Sequence, residues 1–334
     1  MSTTYSTEST SKGDPSGAPD SSGMIPAAAP KDMVLASTEV LAHHSRSFRL
    51  ASLFLPVAVR GDAAVLYALC RLIDDLADES EDEERAALYL NQLRDELREV
   101  RPPRPLVAEF LRVVQRSNLN IDYAMELITG VESDLKEVLI EDDEELLQYC
   151  YRVAGTVGLM MCALLGVDEE EGLAHAIDLG IGMQMTNICR DVLEDAERGR
   201  VYIPESRLQK AGLSHEDILE GSADKDALAQ VVDEVLELAQ RYYDSADQGM
   251  RYIPLRSRLA IVVASRVYRA IGVHLRRGGT DVMAGRTVVP TWAKVYWVSV
   301  AMMMWVLLSL PLLSAAGHRS SLHEALKGLP GVSV

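Results

Sequence analysis

Two pairs of aspartates, Asp74 with Asp78 and Asp191 with Asp195, carry the strongest chemical signal in the chain. The members of each pair stand four residues apart, so on a helix both carboxylates leave from one face. Hard divalent cations prefer oxygen ligands. Mg2+ takes one or two carboxylates and fills the rest of its shell with water and substrate phosphate. Two such faces meeting across a helical cavity would make a magnesium-diphosphate site. Tyr67 and Arg71 precede the first pair, and Gln184 and Asn187 the second, in steps of three or four residues. Both polar series follow the helical period through segments, 63–76 and 177–192, that are otherwise apolar. A polar stripe on a buried helix needs partners, because unpaired buried charge is costly, and metal ions with a diphosphate would supply them. The competing reading makes Asp74, Asp75 and Asp78 the start of the solvated acidic run that continues to Glu84. A second pair with a stripe of its own argues against it. Asp75 leaves the helix about a third of a turn from its neighbours and ranks below Asp74 and Asp78.

The elements that must hold these residues read as helices nearly throughout. Between Asp32 and about Val289, Ala, Leu, Glu, Asp and Arg dominate, while strand-like alternation and hairpin dipeptides are scarce. Breaks are expected at Pro56, Pro102 and Pro103, 118–120, near Gly166, from Gly199 to Pro204, and at Gly278 and Gly279. Ser214, and the acidic run Asp142 to Glu145, look like helix starts. The chain has 334 residues and is 48% hydrophobic, enough for one large core, and no shift in composition divides the middle. Residues 1–32 read as a disordered tail rich in Ser, Thr, Gly, Pro and Ala, without the pattern of a secretory signal. Residues 33–290 read as one catalytic domain, and 291–334 as a hydrophobic C-terminal segment with a short tail. Within the latter, 295–317 is apolar and long enough to cross a bilayer core or lie on one, with Trp297 suited to an interface. The alternative is a final helix buried in the core. Four cysteines at irregular intervals in apolar surroundings look reduced, which fits a cytoplasmic compartment. A net charge of −17 argues against nucleic acid as a partner. It leaves phosphorylated substrates open, because bridging metal ions invert the local charge.

Four segments, HSRSFRLASLFLP from His44, YALCRLIDDLADE from Tyr67, YCYRVAGTVGLMM from Tyr149 and QMTNICRDVLEDAERGRVYIP from Gln184, together resemble the phytoene and squalene synthase family. The resemblance spans about 35–290, and the last motif looks more like the bacterial phytoene synthases. It implies an all-α prenyl synthase fold with a central cavity. Asp74, Asp78, Asp191 and Asp195 would be metal ligands, with Asn187 an additional one, for Mg2+ or in its place Mn2+. Arg71 and Arg190 would hold diphosphate oxygens, and Ser45 and Ser47 resemble the phosphate-side serines. Gln184 would neighbour the reacting centre. Tyr67, Tyr149 and Tyr268 would line it, Arg286 would close over the phosphates, and Phe48, Val153, Val157 and Leu179 would wall the prenyl chains.

The activity so implied is head-to-head joining of two geranylgeranyl diphosphates to phytoene through prephytoene diphosphate, without NADPH. Association with a membrane through 295–317 would suit release of so lipophilic a product. Close alternatives use farnesyl diphosphate and make squalene, a hydroxylated relative or the shorter carotenoid precursor. More distant ones are a non-catalytic assembly module, which retention of all four aspartates disfavours, and a terpene cyclase or chain-elongating synthase, which the order of the four motifs disfavours.

Overall fold

A computed structural model describes residues 30–333 apart from 45, 79, 81 and 310–316, and leaves the side chains of 30, 31 and 42–47 outside the described set. The expected N-terminal tail, Ser45 and the Ser47 side chain therefore lie outside the described residues. Fourteen α-helices follow one another among those described. They are α1 (Pro30–His44), α2 (Arg46–Ser52), α3 (Val57–Asp78), α4 (Glu83–Leu97), α5 (Pro105–Ser117), α6 (Asp122–Ser133), α7 (Asp143–Cys150), α8 (Thr156–Leu165), α9 (Glu170–Ala196), α10 (Glu205–Lys210), α11 (His215–Leu219), α12 (Lys225–Gly249), α13 (Leu255–Arg277) and α14 (Thr291–Leu308).

The expected breaks fall between these helices. Asn118 closes α5 at a left-handed φ of 52°, and Gly166 closes α8 at 72°. Asp142 caps α7 by accepting from the Glu145 amide at 3.0 Å. Ser214 and Asp217 form a reciprocal capping box on α11. All four cysteines are free thiols.

α9 is the axis of the molecule. Thirteen of its side chains or glycines are buried on several sides, which places it inside rather than on the surface. α12 lays Leu228, Val232, Val235, Leu236 and Ala239 against it to form the larger core. α3 turns Val65, Leu66, Leu69 and Ile73 into a second core shared with α4, α5 and α6. Between α7 and α8 the chain makes one π-helical turn, Tyr151–Gly155. Here α9 approaches so closely that a Cβ on Gly180 would lie 2.6 Å from the Ala154 carbonyl carbon and 2.7 Å from the Gly155 nitrogen.

Two features depart from a purely helical reading. Val138 and Leu139 (β1) pair in parallel with Arg200 and Val201 (β2), in the register Val138 to Arg200 and Leu139 to Val201. Two-residue strands are too short to show an alternating pattern. The C-terminal residues also do more than trail from α14. They return to the body, and the 3-10 turn Ser320–Leu326 buries His323 and Leu326.

α14 packs Ala293 and Ala301 inward while Trp292, Val295, Tyr296, Met302, Met303, Val306 and Leu307 face outward. It is the one helix among the described residues that is long and apolar enough to cross a membrane. Its last turn is tied to the body: Trp305 Nε1 donates to the Leu255 carbonyl at 3.2 Å, and Arg258 Nη1 donates to the Leu308 carbonyl at 2.9 Å.

Since the atoms that a Gly180 side chain would strike are backbone, relief requires shifting a helix. Gly180→Ala is expected to cost about 1–3 kcal/mol, read as a lower urea midpoint at unchanged m-value.

Candidate active site

α3 and α9 bring both aspartate pairs into one basin. It is lined by Arg71, Asp74 and Asp78 from α3 and by Gln184, Asn187, Asp191 and Asp195 from α9, with Asp134, Tyr149, Arg200 and Tyr202 completing the wall. The two stripes read from the sequence thus face each other, except that Tyr67 stands one turn further in. The β1–β2 bridge explains the other members. It fixes Arg200 beside Asp78, where Nη1 lies 3.3 Å from Oδ1, and Arg198 reaches the other oxygen at the same distance.

So many carboxylates in a half-buried basin repel one another and resist ionisation. Burial pushes the Asp74 carboxyl up to about 7, with Asp78 and Asp75 adding to the shift and Arg71 opposing it. Asp195 is likewise raised to about 7 by burial and by Asp191. Asp134 is raised by burial to about 6, moderated by hydrogen bonds from Tyr202 at 2.8 Å and Tyr149 at 3.0 Å. Those two rings stack with centroids 4.7 Å apart.

Arginines supply the countercharge. Arg71 pairs with Asp75, an aspartate that does not line the basin. Arg190 forms a two-pronged pair with Asp191, its neighbour in sequence. Arg286 reaches Asp191 Oδ1 at 3.2 Å and Glu194 at 3.5 Å. Asn187 Oδ1 is buried without a partner, while its Nδ2 donates to Gln184 Oε1 at 3.3 Å.

Gln184 and Asn187 also border a second, apolar cavity, with an atom-free volume of about 1040 Å3 against about 630 Å3 for the basin, mouths included. Phe48, Val153, Val157, Leu179 and Tyr268 line it, as expected for a hydrocarbon wall. The π-helical turn presents Val153 to this cavity, and small residues at 158, 172, 176 and 180 keep it open. Phe48 bridges the aromatic pair at the junction, 5.2 Å from Tyr268 and 6.1 Å from Tyr67 between centroids. Burial, with Tyr268 next, pushes the Tyr67 hydroxyl up to about 12, and burial also raises that of Tyr268. Both therefore stay protonated near neutral pH.

A carboxylate basin thus opens directly into an apolar cavity, with Gln184 and Asn187 shared between them. Residues 41–293 match the family described as squalene/phytoene synthase. The chain belongs to that family. It is 36% identical over 249 residues to a 15-cis-phytoene synthase of Enterobacter agglomerans, covering 71% of this chain and 84% of the relative. It is also 36% identical to one from Paracoccus sp., covering 75% and 84% respectively. A crystal structure of a dehydrosqualene synthase with ligand superposes with a TM-score of 0.75 at 26% identity, covering 82% of this chain and 96% of the other. A squalene synthase from Alicyclobacillus acidocaldarius shares the fold, with a TM-score of 0.68 at 24% identity over 75% of this chain and 96% of the other. The fold is thus the all-α isoprenoid synthase fold, and the chain is an enzyme of the prenyltransferase class.

Sequence reasoning missed Asp134, Arg200 and Tyr202. Arg200 and Tyr202 sat in a quoted motif, GRVYIP, whose only other cue was its density of charged and aromatic residues after Asp195. Asp134 follows the end of α6 with no spacing partner, and only the fold brings it beneath Tyr149.

Raised carboxyl pKa values fix the sign of a pH effect. Asp74 favours the folded state while neutral, and that contribution is lost as pH rises from its ordinary value of 3.8 through about 7. In chelator, Asp74→Asn is expected to match the native protein in thermal midpoint at pH 4 and to exceed it by several degrees at pH 8. An equal difference at both pH values would contradict this account.

Proposed function

We propose that the chain is a phytoene synthase that joins two geranylgeranyl diphosphates head to head through prephytoene diphosphate. The observation that carries this reading is the junction at Gln184 and Asn187, where the carboxylate basin opens directly into the apolar cavity. The names of the bacterial relatives point to the same product.

Asp74, Asp78, Asn187, Asp191 and Asp195 would hold Mg2+, or Mn2+ in its place. The all-oxygen donor set suits a hard cation, the unpartnered Asn187 Oδ1 lacks a donor or ion, and neighbouring carboxylates add to the burial that raises Asp74 and Asp195 to about 7. Bound there, the ion would neutralise charge on the departing diphosphate. Arg71, Arg190, Arg200 and Arg286 would orient the diphosphate oxygens, exchanging their present carboxylate partners for phosphate as the ions take over the carboxylates. Tyr67, Phe48 and Tyr268 present aromatic faces where an allylic cation would develop, an interaction of the cation-π kind. The hydrocarbon walls at Val153, Val157 and Leu179 keep water from that cation. No step in this scheme consumes a hydride, so NADPH is not needed.

The likeness to a dehydrosqualene synthase favours, as a second reading, the use of farnesyl diphosphate. Incubation with Mg2+ and either substrate, with and without NADPH, distinguishes the two by the hydrocarbon formed. Phytoene from the longer substrate without NADPH is expected, and squalene appearing only with NADPH would replace this reading. Asp191→Ala is expected to lower turnover by more than about 100-fold, since loss of a residue that merely supports a ligand already costs 10–100-fold.

We further propose that α14 docks on a bilayer. Its outward row of Trp292, Tyr296, Met303 and Leu307 is apolar, and its tied last turn suits a helix lying in the interface rather than crossing it. Met303→Glu with Val306→Glu is expected to weaken sedimentation with phosphatidylcholine vesicles at least about tenfold, given about 1.5–3 kcal/mol for each large apolar side chain buried. Unchanged sedimentation would refute docking through this face.

A further inference from the structure

The apolar cavity runs along α9 away from the basin, and what ends it bears on which prenyl chain fits. Asn187, Gln184, Met183, Leu179, Ala176 and His175 lie along one face of this helix and all line the cavity. From Asn187 to His175 is twelve residues, about 18 Å of helix. Gly172 lines the cavity about one turn further on but has no side chain, so the buried imidazole of His175 is the last α9 side chain on this wall.

His175 cannot retreat from the cavity. The α12 backbone presses on it so closely that a Cβ on Gly249 would lie 2.7 Å from His175 Cγ. On another side Tyr252 stacks over the ring, with centroids 6.2 Å apart. Its Nδ1 lies 3.0 Å from Ser245 Oγ, and Ser245 spends its hydroxyl proton on Asp178 Oδ2, so Nδ1 must be the donor. Filling space calls for no imidazole here. What the ring adds is a hydrogen bond tying the cavity end to Ser245 and Asp178.

Asp178 is in turn held by the returning C-terminal residues. His323 Nε2 donates to Oδ1 at 2.9 Å and His318 Nε2 to Oδ2 at 3.0 Å. These bonds outweigh the effect of burial and keep the carboxyl below its ordinary range. Each carboxylate oxygen is already taken by an N–H at hydrogen-bond distance, so the cluster is complete as a clasp. The strap that carries it is pinned elsewhere too, by Tyr242 on the Leu322 carbonyl at 2.8 Å and Gln148 on the Ala325 carbonyl at 3.1 Å.

We infer that His175, held in place through Ser245 and Asp178 by the C-terminal strap, is the stop that sets the prenyl chain length this cavity accepts. His175 meets the chain end directly, whereas Asp178, His318 and His323 are positioning residues. The inference rests on the proposed prenyl diphosphate substrate.

Its test compares kcat/KM for farnesyl, geranylgeranyl and geranylfarnesyl diphosphates in the full-length enzyme and its variants. His175→Ala is expected to raise the preference for the longest chain over geranylgeranyl diphosphate about tenfold or more, and His175→Trp to shift preference to farnesyl diphosphate by a similar factor. His175→Asn keeps an N–H for Ser245 on a shorter side chain, and it should move the ratio in the same direction as His175→Ala if that variant folds poorly. His323→Leu should move it the same way by a smaller factor. His323→Gln retains a donor for Asp178 and should keep the native ratio, which a loss of packing alone would not distinguish. Length ratios within twofold of native in folded His175→Asn and His175→Trp would overturn the inference while leaving the proposed reaction standing. A native enzyme that turns over none of the three substrates would overturn both.

Discussion

The structure depends on concentrating carboxylates from α3 and α9 at one end of an apolar cavity. Like charges so placed repel one another, and burial takes away the water that would screen them. Asp74 and Asp195 accordingly sit at about 7. The surrounding architecture answers this strain with arginines delivered by different devices: Arg71 from the helix itself, Arg200 from the β1–β2 bridge and Arg286 from the segment after α13. Each is paired, and each pairing is of a kind that a diphosphate could take over, because guanidinium binds phosphate and carboxylate with the same fork. Under the proposed reaction, the arginines that would bind the diphosphate are thus held in place beforehand by the carboxylates that would bind the metal.

The second constraint is that charge chemistry and hydrocarbon must share a wall without mixing. α9 solves this by rotation. Residues 191 and 195 face the basin and 175, 176 and 179 face the cavity, while Gln184 and Asn187, neutral but polar, occupy the seam. The aromatic trio Tyr67, Phe48 and Tyr268 sits at the same seam, and its phenols remain protonated. Such groups offer electron density without adding another negative charge to an already acidic site.

Much of this was legible in the sequence because it obeys a helical period. The aspartate pairs, the stripes that accompany them and the breaks at Asn118, Gly166 and Gly199 are local patterns, and local rules read them. Asp134, Tyr202 and the clasp at Asp178 were not legible, for a shared reason. Each acquires its role from a partner far along the chain: Tyr202 meets Asp134 across sixty-eight residues, and His323 meets Asp178 across one hundred and forty-five. No periodicity marks such encounters. The same limit applies to α14, whose apolar composition is evident from sequence although the face it leaves uncovered depends on where Ala293 and Ala301 meet α13.

The clasp also imposes an order on biosynthesis. α9 is made well before His318 and His323, so during translation Asp178 is an ionisable group in the middle of the central helix with two of its three donors not yet synthesised. A buried carboxylate short of partners is costly, and the helix carrying it has no reason to settle fully until His318 and His323 have left the ribosome. Chains cut short ahead of the strap would retain every aspartate of the basin yet lack this closure. They would be left open to degradation by proteases that act on incompletely folded protein.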